Sequence, residues 1–270
     1  MITFLFWNLN KNPLAEAVGK LAKQNDVDVV ILAESTMPEG VIVPALRDSI
    51  GTAFCRSYSV CEKIAVYTRL PRHCFSVVTE SARTTIQNIT LPARPELLLA
   101  AVHLPSQLYS TRESLAMECA QFAYDLKEAE QRVGHRRTIL VGDFNLNPFD
   151  TGLVGAGAIN AVMSREIAQR GDRTIQGRKF GYFYNPMWSH FGDGDPGPPG
   201  TYYYESTEHV AFFWNIFDQV MFRPELLNHF RNESLKILTS DGDATFLTTK
   251  GIPDKSRVSD HLPIVFRLDI

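Results

Sequence analysis

Thr138-Ile-Leu-Val-Gly-Asp-Phe-Asn-Leu-Asn-Pro148 is the stretch whose reading decides the fold. Thr138 to Val141 is apolar or β-branched and reads as a buried strand. Gly142 ends that run, and Pro148 bars further pairing. On an extended chain, side chains two apart share a face. Asp143 and Asn145 are therefore expected to point the same way, with Phe144 in the opposite layer. A carboxylate and an amide at the mouth of a buried strand can hold one ligand. The same pair also forms ordinary turns. The functional reading gains weight because several other strand-like runs end the same way.

Working outward, Ile2, Phe4 and Phe6 alternate with Thr3, Leu5 and Trp7 in a first strand, and Asn8 follows on the Phe4–Phe6 face. Leu14, Ala17, Val18 and Leu21 fall at helical spacing after Pro13. Val29 to Ala33 is a continuous apolar run, as in a strand covered on both faces. Glu34 ends it, on the face of Val30 and Leu32. Strand, helix, strand suggests a crossover unit. Ile64 to Tyr67, Phe75 to Val78 and Thr84 to Leu91 follow without helices between them, which predicts antiparallel pairing. Leu97 to Val102 ends at His103, on the face of Leu99 and Ala101. Leu115, Cys119, Phe122 and Leu126 mark a long helix to about Val133.

Beyond the central strand, Ala156 to Gln169 is expected to be helical. Arg165, Arg170, Arg173, Arg178 and Lys179 then suit either a solvated helix end and loop or a phosphate-binding rim. The aromatic runs Tyr182 to Trp188 and Tyr202 to Tyr204 flank a Gly- and Pro-rich loop, Gly192 to Gly200. These aromatics suit core packing or base stacking. Trp214 to Phe222 is strand-like and carries Asp218. Ser259-Asp260-His261-Leu262-Pro263 precedes a last strand, Ile264 to Leu268.

Composition sets bounds. The 270 residues, 44% hydrophobic and 21% charged, suit a soluble globular chain, here expected to be one domain over residues 1–270. A net charge of -3 makes no electrostatic case for or against nucleic acid. The four cysteines, none in a C-x-x-C pair, read as reduced thiols rather than a zinc or disulfide framework. With no signal-peptide pattern and no apolar run of spanning length, no membrane association and a cytoplasmic location are expected. No protein partner is inferable.

Asn8, Glu34, His103, Asp143, Asn145, Asp218, Asp260 and His261 all stand at the ends of apolar runs. Singly, each has a plain structural explanation; Glu34 is the sharpest, because a carboxylate after five buried residues needs a partner. In layered α/β proteins strand ends gather on one rim, where ligands bind. Together these residues supply oxygen ligands for a hard cation and two imidazoles.

The motifs Trp7-Asn8-Leu9, Leu32-Ala33-Glu34, Val102-His103-Leu104, Gly142-Asp143-Phe144-Asn145, Phe217-Asp218-Gln219 and Ser259-Asp260-His261 stand in an order that resembles the endonuclease/exonuclease/phosphatase, or DNase I-like, superfamily. The resemblance covers nearly the whole chain. It implies an α/β (α+β) four-layer α/β/β/α sandwich, with two mixed β-sheets face to face and helices outside. It also implies a metal-dependent phosphoesterase: Glu34 as main carboxylate for Mg2+ (or Mn2+), with Asn8 and Asp260 close by. Asp143 would orient and deprotonate water, and Asn145 would hold phosphate and water. His261 would sit at the scissile phosphate, with Asp218 fixing its tautomer and His103 as second imidazole. The chain departs from some branches at Ala33, where they have Gln, and at Pro105-Ser106-Gln107-Leu108-Tyr109, where many DNA-repair members have a Tyr and a polar cluster. A nuclease, with nucleic acid as substrate, is the first functional reading. A phosphomonoesterase or small-molecule or lipid phosphodiesterase of the same fold is the second. A non-catalytic nucleic-acid-binding module is the third.

Overall fold

Ile2–Asn8 (β1) and Val29–Ala33 (β2) are buried along their whole length. The computed structural model describes residues 1–107, 110–194 and 197–270. Tyr109, singled out above, lies outside the described residues, as do Asp195 and Pro196 of the Gly192–Gly200 loop. Ala15–Gln24 (α1) carries the chain from β1 to β2, which pair in parallel with Asn8 opposite Ala33. Glu39–Ile50 (α2) packs on α1. Cys55–Arg56 (β3) and Ile64–Thr68 (β4) then return, with β4 antiparallel to β2. Phe75–Glu80 (β5), Thr84–Ile89 (β6) and Leu97–His103 (β7) form an antiparallel meander. Arg112–Val133 (α3) crosses over to Thr138–Asp143 (β8), which lies parallel to β7 with His103 opposite Asp143. Thr111 caps α3 by accepting the Ser114 N–H, and left-handed Gly134 ends it.

The rest is built of short pieces: Thr151–Val154 (α4), Ala161–Val162 (β9), Arg165–Ala168 (α5), Asp172–Ile175 (β10), Arg178–Gly181 (β11), Phe183–Tyr184 (β12), Tyr202–Tyr203 (β13), Trp214–Asn215 (β14), Asp218–Phe222 (β15), Lys236–Ile237 (β16) and Ile264–Leu268 (β17). One mixed sheet runs β16-β17-β1-β2-β4-β3 and the other β5-β6-β7-β8-β15-β12-β9, while β10–β11 and β13–β14 are separate ribbons.

The alternation along each strand sorts its side chains into layers. Phe4, Phe6, Ile31 and Phe266 from the first sheet meet Leu99, Ile139, Val141, Val220 and Phe222 from the second in one central core. The reverse faces pack outward: Leu5, Val30 and Leu32 against α1 and α2, and Leu98, Leu140 and Phe144 against α3. This is the expected four-layer arrangement. Asn8, His103, Asp143 and Asp218 continue the inward-facing rows of β1, β7, β8 and β15, so the two sheets present them at one end of their shared core. The opposite end of β8 is fixed differently. There Glu130 of α3 accepts from Thr138 Oγ1 at 2.8 Å and from Arg223 Nε at 2.7 Å, all three residues being buried.

Several expectations are corrected. Ala156 to Gln169 is not one helix: Asn160 takes a left-handed φ of 57°, β9 follows, and only Arg165–Ala168 is helical. Arg165 donates to the carbonyls of Leu227 and Phe230, and Arg173 to that of Val154, so these two cations brace loops rather than form a phosphate rim. The strand-like run from Trp214 breaks before Asp218, and β4 joins the first sheet rather than the β5–β7 meander. Tyr182, Phe183 and Tyr184 are buried, in keeping with the core-packing reading of that run rather than base stacking. Among the described residues, no helix is long and apolar enough to cross a membrane.

Candidate active site

Two residues reach the rim by leaving the strand pattern. By alternation Glu34 would join Val30 and Leu32 against the helices. It instead adopts φ 48°, and its carboxylate crosses to the inter-sheet side, with Oε1 3.5 Å from His103 Nε2. Left-handed backbone is costly for a non-glycine residue, by about 1–2 kcal/mol, and such strain gathers at functional sites. Asn145 shows the same device at φ 51°. Asp143 and Asn145 therefore do not lie side by side as on an extended chain. The Asn145 N–H turns back to Asp143 Oδ1 at 2.9 Å, and its Nδ2 donates to the Leu104 carbonyl at 3.0 Å. One amide N–H and Oδ1 of Asn145 remain for other partners.

Asp143 is the hub. Its Oδ2 accepts from Asn8 Nδ2 at 2.8 Å and lies 3.6 Å from His103 Nε2 and 3.8 Å from His261 Nε2. The other ring nitrogen of His261, Nδ1, meets Asp218 Oδ2 at 2.8 Å and Oδ1 at 3.1 Å. Asp218 thus fixes which His261 nitrogen faces Asp143. Asn8, His103, Asp143, Asn145, Asp218 and His261 are all buried, while Glu34 and Asp260 are partly open. Asp260 is tied in through its neighbour, because Ser259 Oγ donates to the Asn8 carbonyl at 2.8 Å. All eight sequence-derived candidates therefore occur around this rim.

Burial is the largest influence on Asp143, His261 and His103, and charged neighbours reverse its direction at His261. Burial pushes the Asp143 carboxyl up, with Asp218 adding to the rise, against the pull of His261 and His103. For His261 burial opposes the charge, but Asp218, Asp143 and Asp260 outweigh it and hold the imidazolium, pushed up to about 10. His103 goes the other way: burial lowers it more than Asp143 raises it, and its Nδ1 is buried with no partner. One imidazole is thus held charged and the other neutral, a separation suited to acid–base work.

Sequence reasoning missed the brace behind this pair. Thr201 Oγ1 accepts from the N–H groups of Phe217 and Asp218, each at 3.2 Å, while its carbonyl accepts from Leu262 N at 2.8 Å. The Tyr202 ring lies 4.7 Å from the His261 ring and 5.1 Å from Phe217. Burial and Asp260 raise its phenol to about 12, so it stays protonated. Nothing in the local sequence marks Thr201, and the aromatic run marks Tyr202 without its bracing role, because their partners are 15 to 61 residues away.

The endonuclease/exonuclease/phosphatase family model matches residues 5–261. The chain belongs to this family. Among curated proteins none matches it. The structure resembles an endonuclease/exonuclease/phosphatase family protein from Leptotrichia buccalis C-1013-b (TM-score 0.60, 13% identity, all of both chains covered). It also resembles D. rerio TDP2 complexed with single strand DNA product (TM-score 0.58, 15% identity, 100% of this chain and 99% of that one). An AP endonuclease from Archaeoglobus fulgidus is similar too (TM-score 0.56, 15% identity, all of both chains). At such identities the likeness is one of fold.

Proposed function

We propose that this chain, acting as one domain over residues 1–270, is a divalent-metal-dependent phosphodiester hydrolase, and specifically a nuclease. The observation that carries the reading is the Asp218–His261–Asp143–His103 series, joined by Asn8 and Glu34, on one rim of a family fold whose name denotes phosphoester hydrolysis.

The residues fit a hard cation. Asp260 Oδ1 is buried with no partner, Asn8 lies opposite Ala33 and hence next to Glu34, and the three offer only oxygens. Mg2+, or Mn2+ in its place, would be held by Glu34, Asn8 and Asp260, and would supply charge neutralisation to the phosphoryl oxygens. Ligand-capable atoms of Asp143, Asp218 and His261 also lie within 4.8 Å of one another. That trio reads better as a hydrogen-bonded relay, because His261 Nδ1 is already committed to Asp218.

In this reading Asp143 accepts a proton from the attacking water and aligns it with phosphorus. Asn145 holds water and a phosphoryl oxygen through its remaining N–H and Oδ1. His261, kept charged by Asp218, donates from Nε2 to the phosphate, and His103 supports the oxygens from the other side. Asp143→Asn preserves shape but removes the proton acceptor, and its new NH2 group faces either Asn8 Nδ2 or the Asn145 N–H, where a carboxylate oxygen had accepted. It should still fold and lose about 10²–10⁴ in turnover of nucleic acid. Release of phosphate from small monoesters, with no cleavage of plasmid, linear duplex or single strands, would instead support a phosphomonoesterase.

A further inference from the structure

The active-site rim is asymmetric, and its two flanks carry different chemistry. Strand order places β7 with His103 on one side of Asp143, and β15 with Asp218 on the other. On the His103 side stand two cations. Arg83 Nη1 donates to the His103 carbonyl at 3.4 Å, and the backbone N–H of Lys63 donates to the backbone carbonyl of Ala82, next to Arg83, at 3.0 Å. On the Asp218–His261 side stands the β13–β14 hairpin. Tyr202 at its base bridges to His261, and Tyr203 packs on Trp214. Beyond this pair Tyr204 is 49% and Phe213 45% exposed, with Phe213 stacked on Tyr203 and its neighbour Phe212 against Phe149.

This exposed aromatic surface needs an occupant, because apolar patches beside a site mark ligand or partner contacts. Its charge narrows the choice. No Lys or Arg lies between Thr201 and Phe222, whereas Glu205 and Glu208 are exposed on the hairpin. A duplex presents its phosphates and hides its base faces, so such a flank would repel it. Anionic lipid would be repelled in the same way. An unpaired strand can instead splay neutral base faces onto aromatic rings while its phosphates stay on the cationic flank. Phe213 adopts φ 58°, a strained backbone for an aromatic residue and of a kind found at ligand sites.

We propose that the β13–β14 hairpin is a base-stacking platform that makes single-stranded nucleic acid the ligand of this site. Bases on one side of the scissile phosphate lie on Tyr204 and Phe213, and phosphates on the other side meet Lys63 and Arg83. The inference rests on the phosphodiesterase reading and names its substrate class.

The test uses the whole chain with Mg2+ or Mn2+, and a Tyr204→Ala/Phe213→Ala variant. Four oligomers are compared: single-stranded DNA, single-stranded RNA, the matching duplex, and a single strand of abasic sugar-phosphates. Wild type should cut at least one single strand about 10-fold better than the duplex. The variant should lose about 10- to 100-fold in kcat/KM on that strand, while its rate on the abasic oligomer and its melting temperature stay unchanged. Equal cutting of the single strand by both proteins, or a wild-type preference for duplex, overturns the platform. Fluorescence anisotropy separates this inference from the reading beneath it. Single-strand binding that the variant loses, with no cleavage by wild type, supports the platform and sinks the hydrolytic reading. Cleavage of duplex and abasic oligomers with no hairpin effect does the reverse.

Discussion

Gly142→Ala should disable the site without touching a polar group. Gly142 sits between β7 and β15, opposite Val102 and Gln219. A Cβ there would meet the Val102 carbonyl oxygen at 1.9 Å, well inside the 3.0 Å that real Cβ contacts respect. The strands must therefore part by about 1 Å, because backbone on both sides leaves no rotamer to move. Asp143 is the next residue, and its carbonyl accepts the Leu104 N–H at 2.9 Å across the same seam. Overpacking of this kind costs about 1–3 kcal/mol, and a lost ladder bond about 1 more. For a chain of this length, at about 2 °C per kcal/mol, that is a fall of roughly 4–8 °C in melting temperature. A 1 Å error in placing Asp143 against His103 and His261 should cost about 10² in turnover. Calorimetry and initial rates measure the two effects, with Gly157→Ala as control because a Cβ there meets nothing within 4 Å. If Gly142→Ala melts and turns over like wild type, the tight β7–β8 approach is not what positions Asp143.

Two further substitutions probe separate parts of the molecule. Asp218→Asn removes the charge that orients His261; turnover should fall about 10²–10⁴ with the Mg2+ concentration for half-maximal rate unchanged, and a fall in Mg2+ affinity instead would assign Asp218 to the cation. Arg223→Met takes from buried Glu130 its close ion-pair partner at the far end of β8, leaving Thr138 Oγ1 at 2.8 Å and Arg136 Nε at 3.9 Å, so denaturant titration should show a loss of about 3 kcal/mol with normal turnover at 25 °C; an unchanged midpoint contradicts the role given to that ion pair.

How much of this was legible in the sequence depends on where backbone geometry departs from regularity. β1, β2, β7 and β8 were readable because strands covered on both faces are nearly continuously apolar, and their polar ends named candidate residues. The direction of Glu34 was not readable, since period-two alternation holds only while φ stays extended. It put Glu34 on the helix side, and one left-handed residue reversed that. The same failure misplaced Asn145 relative to Asp143. Helix α2 was invisible because it contains Pro44 and begins near Gly40, both poor helix formers; packing on α1 holds it together. The false helix after Ala156 has the opposite cause: acceptable local propensity, overridden where the Asn160 side chain bonds the carbonyls of Phe180 and Gly181. Thr201 and Tyr202 brace Asp218 and His261 only through contacts distant in sequence, which no local pattern encodes.

The central claim is that separated acids, amides and imidazoles meet to hydrolyse phosphodiesters with a divalent cation held first by Glu34. Its most direct measurement is a Mg2+ titration of oligonucleotide cleavage after chelation, on wild type and Glu34→Gln side by side. The account predicts no cleavage in chelator, full recovery in wild type, and a half-maximal Mg2+ concentration raised at least about 10-fold in the variant. Cleavage that persists in chelator, or identical titration curves for the two proteins, contradicts it.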